Sequence, residues 1–386
     1  MSARPRPGAA PAAVLPSFDD ATVRRLAQRV LGRPAGRVRS AWALEPVLSR
    51  LQPATRIYRL RVAPGTGEGE AWTAILKVVP PKATPEERRE VRVYRSGLLD
   101  ALPAGLRAPR CYWVQERADG SAFLWLEDVL PPAPERWGVA RLALAARHLG
   151  RWNGGYLVGA PFPARPYLSK RWLDGWIEAN AAAIARLAEW KRQAPVLRAY
   201  SPAVSERILD LWGRRGPLLE ALARLPATLC HFDAHPGNLI MARREAHEET
   251  VLLDWQFLGP GPLGADAAPL LGAPLTEGLL PAGEAPALAR AVFDGYLAGL
   301  QEAGWHRSAP LARAGYVGVA GLRYTLGTTR FLLPLLGDPP AMAEMEATLG
   351  LREGSLAPTM AALFPFFLSL ADEATALLAE AGLLRG

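Results

Sequence analysis

Short apolar runs dominate the first third of the chain, and longer amphipathic stretches follow. Four runs rich in β-branched and aromatic side chains are bounded by turn residues: 57–62, 72–79, 111–115 and 123–132. Such runs predict strands. Residues 84–99 instead carry Pro85 near their start and acidic side chains in the first turn, which is typical of a helix N-terminus. The pattern predicts a small antiparallel sheet with one helix.

The first strand of this sheet needs a hairpin partner. Residues 47–51 are the apolar stretch immediately before it, so we expect 47–51 to pair with 57–62 across a turn at 52–56. That turn contains no glycine. The stretch at 65–69, GTGEG, is interpreted as an ordinary hairpin turn.

The rest of the chain has helical periodicity. Amphipathic stretches cover residues 137–156, 167–190, 201–225, 285–304, 311–336, 340–349 and 357–384. Gly154 and Gly155 are interpreted as the stop of the first stretch. The chain therefore predicts a bilobal α/β (α+β) fold with a sheet lobe at 17–128 and a larger helical lobe at 129–386. The Pro- and Ala-rich residues 1–16 predict a disordered tail.

Three oxygen-bearing side chains have a spacing suited to phosphoryl transfer. Asn238 follows Asp233 by five positions, and Asp254 comes sixteen positions later. In protein kinases the same Asp-to-Asn spacing supplies a base and a metal ligand, and a later Asp holds the second metal site. Carboxylate and amide oxygens suit Mg²⁺ better than zinc. Apolar residues 229–230 and 251–253 flank this polar segment and predict a hairpin with the chemistry in its turn.

Two other interpretations of the segment stay open. An Asn beside Pro-Gly is common in plain turns, so Asn238 alone carries little weight. His231, Asp233 and His235 also have the residue types of a metal-dependent hydrolase site.

The segments LCHFDAHPGNLIM and LLDWQFLGPGPLGADAA, spanning 229–268, resemble the catalytic region of the aminoglycoside phosphotransferase and choline kinase group. These small-molecule kinases share the protein-kinase-like fold. The resemblance implies that Asp233 is the catalytic base and that Asn238 and Asp254 bind metal. It also implies that His231, His235 and Asp266 support the site, with Asp266 bracing the catalytic loop.

A kinase needs nucleotide-binding parts upstream. Lys77 is the only charge in its predicted strand, and Glu90 follows on the predicted helix. The resemblance makes Glu90 the residue that holds Lys77 against the phosphates, with Glu86 and Glu87 as fallback partners.

The adenine site and the phosphate loop are predicted less directly. The resemblance places the interlobe linker near 126–130, where backbone groups of Leu126, Glu127 and Asp128 would bind adenine. Glycine usually lets a backbone approach phosphate closely, and its absence at 52–56 leaves side chains such as Ser49 and Thr55 as candidates. The cofactors expected are ATP, with GTP not excluded, and Mg²⁺.

Composition limits the partners. The formal charge is +8, and all of the excess lies in the first 128 residues. The arginines are scattered and not interleaved with an aromatic motif, so we expect no nucleic-acid partner. We also expect no membrane partner, because no run is long and apolar enough for a span. Two cysteines in predicted strands suit a reducing cytoplasm.

The acceptor pocket is expected among the helices. Five aromatic side chains are candidate walls, although each has core packing as its alternative: Trp172, Trp176, Trp190, Trp305 and Tyr324. Arg323 and Arg330 lie seven positions apart on one predicted helical face and are candidates for meeting an anionic substrate, with a solvated or helix-bracing role as the alternative. The sequence thus predicts an ATP-dependent transferase that phosphorylates a hydroxyl of a small molecule. A catalytically weak, kinase-shaped binding protein is the rival hypothesis.

Overall fold

The computed structural model describes residues 16–32, 41–47, 56–63, 70–130, 137–244 and 247–384. The chain divides into two compact units. The first unit holds residues 1–99 and 108–130, and the second holds 100–107 and 131–386. Residues 1–15 of the predicted tail at 1–16 lie outside the described residues, as do the candidate phosphate ligands Ser49 and Thr55 and the 65–69 turn.

In the described part of the chain the strands are β1 Ala41–Pro46, β2 Ile57–Ala63, β3 Trp72–Val79, β4 Leu106–Arg107, β5 Cys111–Glu116, β6 Ala122–Leu126, β7 Ala227–Cys230, β8 Leu239–Arg244, β9 His247–Leu252 and β10 Gly259–Pro262. The α-helices there are α1 Asp20–Leu31, α2 Pro85–Arg95, α3 Val139–Leu157, α4 Trp172–Glu178, α5 Ala181–Trp190, α6 Ala194–Leu197, α7 Pro202–Gly213, α8 Arg215–Ala223, α9 Ala268–Thr276, α10 Ala285–Glu302, α11 Ala309–Leu336, α12 Pro339–Leu349 and α13 Leu356–Glu380.

The first unit is built on a five-stranded antiparallel sheet with the order β1-β2-β3-β6-β5. Alternate residues of β2 and β3 are buried, as expected for strands with one packed face. Their core includes Leu60 and Leu76, and α1 covers it with Val23 and Leu26. The helix α2 begins with a capping box in which Thr84 and Glu87 satisfy each other's backbone N–H groups.

Two details of this unit differ from the sequence prediction. The partner of β2 is Ala41–Pro46, six residues before the expected 47–51. The earlier stretch turns Leu44 toward the core, and Pro46 is tolerated because β1 is an edge strand. The helix α1 was not predicted, although Asp19 caps its start and Gly32 ends it in the left-handed conformation.

The second unit is mostly helical. The long helix α11 is buried along most of its length and packs against α13, α9 and α5. The predicted stop at Gly154 and Gly155 is wrong, because α3 continues to Leu157. Gly154 instead lets α3 approach α10, where a Cβ would lie 2.7 Å from the Cβ of Ala303.

The helix α13 corrects another expectation from the sequence. Leu356–Glu380 is long and apolar enough, by length and composition alone, to cross a membrane. Its buried side chains, which include Phe364 and Phe367, belong to a helix packed against α11. This is the packing of a core helix in a helical unit.

Small sheets in the second unit carry the predicted catalytic segment. The expected pairing of 229–230 with 251–253 is wrong, because β7 pairs with β10 and β9 pairs with β8. The strand β8, whose apolar residues Leu239 and Met241 are buried, directly precedes β9 and pairs with it. The strand β4 adds to β9 in parallel. The segment between β7 and β8 is therefore a crossing between two sheets, with both of its ends fixed.

Candidate active site

The loop that follows β7 has an unusual backbone. Phe232 adopts a left-handed conformation with φ 67° although it is not glycine. Such a residue costs on the order of 1–3 kcal/mol and persists only when its surroundings hold it. Asp266 provides part of that hold, since its Oδ1 accepts the Phe232 N–H at 2.8 Å and its Oδ2 accepts the His231 N–H at 3.0 Å.

Asp266 belongs to a fully buried polar network. Asn153 donates through Nδ2 to Asp266 Oδ2 at 3.2 Å and to the Leu229 carbonyl at 2.9 Å. The Tyr296 hydroxyl donates to Asn153 Oδ1 at 2.8 Å. Burial raises the pKa of Asp266 to about 6, against the lowering effect of these donors. Through this network α3 and α10 fix the start of the loop that carries Asp233.

The Asp233 carboxylate has a donor on each oxygen. Arg323 Nη2 lies 2.7 Å from Oδ1, and Asn238 Nδ2 lies 3.0 Å from Oδ2. Burial alone would raise the pKa of Asp233, but His235 and Arg323 together hold it well below its ordinary value. The carboxylate is therefore ionised. Its side chain remains 17 % exposed, so a hydroxyl group can approach it.

Asn238 and Asp254 are tied together by the strands that carry them. The Asn238 carbonyl accepts the Leu253 N–H at 2.8 Å, directly before Asp254. The side-chain amide nitrogen of Asn238 donates both to the Asp233 carbonyl and to the Asp233 carboxylate. The Oδ1 atom of Asn238 is therefore the acceptor atom of this side chain. Asp254 is left-handed, with φ 60°. An amide oxygen and a carboxylate fit a hard cation such as Mg²⁺.

His231 has a structural position. Its Nδ1 accepts the Asp233 N–H at 3.2 Å, so Nε2 carries the proton and donates to the Leu253 carbonyl at 2.9 Å. Burial lowers its pKa to about 4. Both ring nitrogens of His231 thus form hydrogen bonds with backbone groups. His231 is therefore not available as the metal ligand that the metal-hydrolase interpretation requires. The described residues also contain no group of three or more His, Cys, Asp and Glu side chains that could hold a metal.

His235 lies beside Asp233. Its Nδ1 accepts the Gly237 N–H at 3.1 Å, and its Nε2 lies 3.6 Å from Asp233 Oδ2. Burial lowers the pKa of His235, but the neighbouring Asp233 carboxylate outweighs this and leaves the pKa raised. The ring thus lies next to the Asp233 carboxylate oxygen that accepts from Asn238.

The first unit contains the predicted lysine and glutamate in contact. Lys77 Nζ lies 2.5 Å from Glu90 Oε2, and the Glu90 side chain is almost fully buried. The fallback partners are engaged elsewhere: Glu86 pairs with Arg89, and Glu87 pairs with Arg56 while capping α2.

The predicted linker residues are held by arginines of the same unit. Leu126 is buried at the end of β6. Glu127 accepts the Arg110 N–H through Oε2 and donates its own N–H to the Arg110 carbonyl. Asp128 accepts from Arg59 Nε and Nη2 at 2.8 and 3.1 Å. These side chains brace the segment, and adenine binding by its backbone stays a prediction.

Arg323 contacts Asp233, a role that the sequence did not predict for it. Besides Asp233, it donates through Nη1 to the Phe232 carbonyl. Its guanidinium lies 5.1 Å from the Trp172 ring and 5.2 Å from the Trp176 ring. The available signal was the Trp pair four residues apart on one helix face, since stacked aromatic rings are favourable neighbours for a guanidinium.

The other aromatic candidates divide between the site and the core. Tyr324 lies 5.5 Å from the Arg323 guanidinium. Trp305 is buried, and Trp190 packs under Arg186. The structure thus brings Trp172, Trp176 and Tyr324 around Arg323 and gives the remaining two ordinary packing roles.

A family model described as the phosphotransferase enzyme family matches residues 58–311, about two thirds of the chain. The chain belongs to the phosphotransferase enzyme family. Membership confirms the resemblance drawn from the sequence. Together with the antiparallel sheet and the helical second unit, it confirms the predicted protein-kinase-like fold class.

Several solved structures are similar to this phosphotransferase family member. An ethanolamine kinase from Plasmodium vivax has 13% identity and a TM-score of 0.47, covering 85% of this chain and 83% of its own. An aminoglycoside phosphotransferase from Alicyclobacillus acidocaldarius has 14% identity and a TM-score of 0.45, covering 88% and 96%. A microcompartment-associated aminopropanol kinase has 13% identity and a TM-score of 0.44, covering 95% and 99%. No curated protein matches the chain.

Proposed function

We propose that the protein transfers the γ-phosphoryl group of ATP to a hydroxyl of a small molecule. The observation that carries this proposal is the Asp233 carboxylate, which is ionised, partly exposed and held at both oxygens beside Asn238. Asp233 would accept the proton of the attacking hydroxyl. A new bond forms between that oxygen and the γ-phosphorus, the bond from phosphorus to the β,γ-bridging oxygen breaks, and ADP leaves.

The segment that carries Asp233 also contains oxygen donors that suit Mg²⁺. Asn238 and Asp254 would hold Mg²⁺, and the bound ion would neutralise negative charge on the phosphates. The protein itself orients the metal ligands and the base. The hydrogen bond from Leu253 to Asn238 fixes the two ligands relative to each other, and the Asn238 amide also fixes the base.

Nucleotide binding is assigned to the first unit. Lys77, held by buried Glu90, would pair with ATP phosphates, in line with the role of the lysine in this reaction class. ATP is the proposed donor, with GTP as the alternative. A cytoplasmic location is part of the proposal and is supported by the two free cysteines, Cys111 and Cys230.

The acceptor is proposed as a hydroxylated small molecule such as a sugar, an amino alcohol or an antibiotic. Family membership supports this class. A screen of such compounds for ADP release would identify the acceptor.

Removal of the base tests the function directly. Asp233→Asn keeps the size of the side chain but removes the proton acceptor, so we expect turnover to fall at least about 100-fold, the lower end of general base effects. Asp254→Asn should abolish turnover through loss of magnesium. The measurement is ADP release with the acceptor from the screen.

The matched control is Asp210→Asn. This change alters an exposed carboxylate of α7 that is paired with Arg214. Its turnover should equal that of the unaltered protein. Equal turnover in Asp233→Asn and the unaltered protein would refute the proposal. A protein that is stabilised by Mg²⁺-ATP but releases no ADP with any acceptor would instead be a kinase-shaped binding protein.

A further inference from the structure

The loop residue before the base is held on three sides. Its N–H is bonded to Asp266, its carbonyl accepts from Arg323, and its ring stacks on Trp172 at 4.8 Å. This residue is Phe232, which has the strained left-handed backbone. Strain of that kind is retained where the surroundings over-determine one conformation. The conformation at Phe232 sets the direction in which the next side chain, Asp233, leaves the backbone.

Arg323 contacts two adjacent groups with one planar fork. Nη1 reaches the Phe232 carbonyl and Nη2 reaches Asp233 Oδ1 at 2.7 Å. The peptide unit and the carboxylate that follows it are therefore fixed by the same guanidinium. A lysine has a single ammonium on a flexible stem and cannot reproduce this two-point contact.

The guanidinium itself has little freedom. It is 7% exposed and lies 5.1 Å from the Trp172 ring and 5.2 Å from the Trp176 ring, with Tyr324 nearby. The two tryptophan rings are themselves stacked on each other at 5.5 Å. Burial of a cation is costly unless it is paired and hydrogen-bonded. The pairing with Asp233 therefore fixes both partners, and the aromatic rings restrict the rotamers of the arginine.

We propose that Arg323 is a positioning residue for the catalytic carboxylate, acting through the two-point clamp on Phe232 and Asp233. This inference rests on the proposed function. Arg323 lies beyond residue 311, where the family match ends, so the clamp is contributed by a part of α11 outside the matched segment. Its effect is on geometry, because a reacting group misplaced by about 1 Å loses on the order of 100-fold in rate.

The test compares two variants of Arg323 with a matched arginine of the same helix. Arg313 makes a two-point ion pair with Glu373, at 2.6 and 2.9 Å, and lies over the Phe293 ring. Arg313→Gln therefore removes a charge, an ion pair and an aromatic contact from α11 without touching the site. Turnover of the screened acceptor and KM for ATP are measured for Arg323→Gln, Arg323→Lys and Arg313→Gln.

We expect Arg323→Gln to lower kcat about 100-fold while KM for ATP stays within about twofold, because the clamp acts on the base and not on the nucleotide. Arg323→Lys should regain part of that loss, and Arg313→Gln should keep its kcat. An unchanged kcat in Arg323→Gln, or an equal loss in Arg313→Gln, overturns the inference. If Arg323→Gln does not fold, Arg323→Lys replaces it in the comparison, and an unchanged kcat in Arg323→Lys overturns the inference.

A second measurement does not need turnover. In urea unfolding, Arg323→Gln combined with Asp233→Asn should destabilise less than the sum of the single changes, since the two groups share one contact. Arg323→Gln combined with Asp210→Asn should be additive, and additivity in both pairs overturns the clamp. An unaltered protein that releases no ADP with any acceptor refutes the proposed function, and the positioning role with it. If the unaltered protein turns over, an unchanged kcat in the Arg323 variants overturns the positioning role alone and leaves the proposed function standing.

Discussion

At the scale of single residues, the site depends on side chains that each satisfy several backbone groups. Asp266 accepts from two consecutive loop N–H groups, and Asn153 joins it to the Leu229 carbonyl. The sequence resemblance pointed to Asp266. The sequence named Arg323 only as a candidate for an anionic substrate and did not predict its pairing with Asp233, because the two positions are 90 residues apart. Contacts of that kind are set by tertiary packing, which no local pattern encodes.

The loop network makes a direct prediction for Asp266→Asn. The amide would present hydrogens to at least one of the two buried N–H groups, so a donor would be left without an acceptor. We expect a loss of about 3 kcal/mol in the free energy of unfolding. Urea denaturation at neutral pH measures it. The control is Asp372→Asn on the exposed face of α13, which breaks surface ion pairs and should cost under about 1 kcal/mol. Similar losses in both would contradict the bracing role.

At the scale of elements, the contact of α3 with α10 is made by glycines on both helices. A Cβ added at Gly150 would lie 2.1 Å from the Tyr296 carbonyl oxygen, and one at Gly299 would lie 2.0 Å from the Arg147 carbonyl oxygen. Sequence alone read Gly154 and Gly155 as a stop signal because glycine ends helices more often than it packs them. The partner helix decides which meaning applies, and it lies more than 100 residues away.

Gly299→Ala tests this close approach. The new methyl group would meet backbone, which cannot move without separating the helices, so we expect a loss of about 1–3 kcal/mol or more. Gly155→Ala on α3 is the matched control, because nothing lies within 4 Å of its added Cβ. That change should stabilise by roughly 0.5–1 kcal/mol through helix propensity. Thermal and urea unfolding give both values, and a neutral Gly299→Ala would show that the helices are not in tight contact.

At the scale of the whole molecule, the order of elements followed from the sequence better than their pairing. Hydrophobic periodicity located β3, α2 and the C-terminal helices, since these have long, regular patterns. It misplaced β1 by six residues and paired β7 with the wrong strand. Short strands carry few residues of pattern, so the choice of partner depends on the core that each strand reaches.

Stability of the whole chain should depend on pH through buried His148. Its ring is buried and contacts Thr250 Oγ1 at 2.8 Å. Burial, then Arg151 and Arg147, lower its pKa to about 4. The unfolded chain takes up a proton near the ordinary histidine pKa of about 6.5, so acidification through that value favours unfolding. Stability contributed by neutral His148 is present above about pH 6.5 and declines toward pH 4.

Between pH 7.5 and 5.0, this linkage costs about 2 kcal/mol at His148. In His148→Gln the loss of stability over the same range should be smaller by that amount, while His306→Gln, at an exposed position, should match the unaltered protein. Urea midpoints at the two pH values provide the comparison. Equal pH dependence in all three proteins would show that His148 titrates alike in both states.

The glycine contact between α3 and α10 also limits how the length of this chain can vary. One residue inserted within either helix would rotate everything beyond it by about 100°. Gly150 and Gly154 would then leave the contact, and larger side chains would take their places against the α10 backbone. Insertions and deletions are therefore expected in the connections around these helices and not inside them. The crossing acts as a fixed frame that keeps Asn153 and Tyr296 in register while surrounding segments change in length.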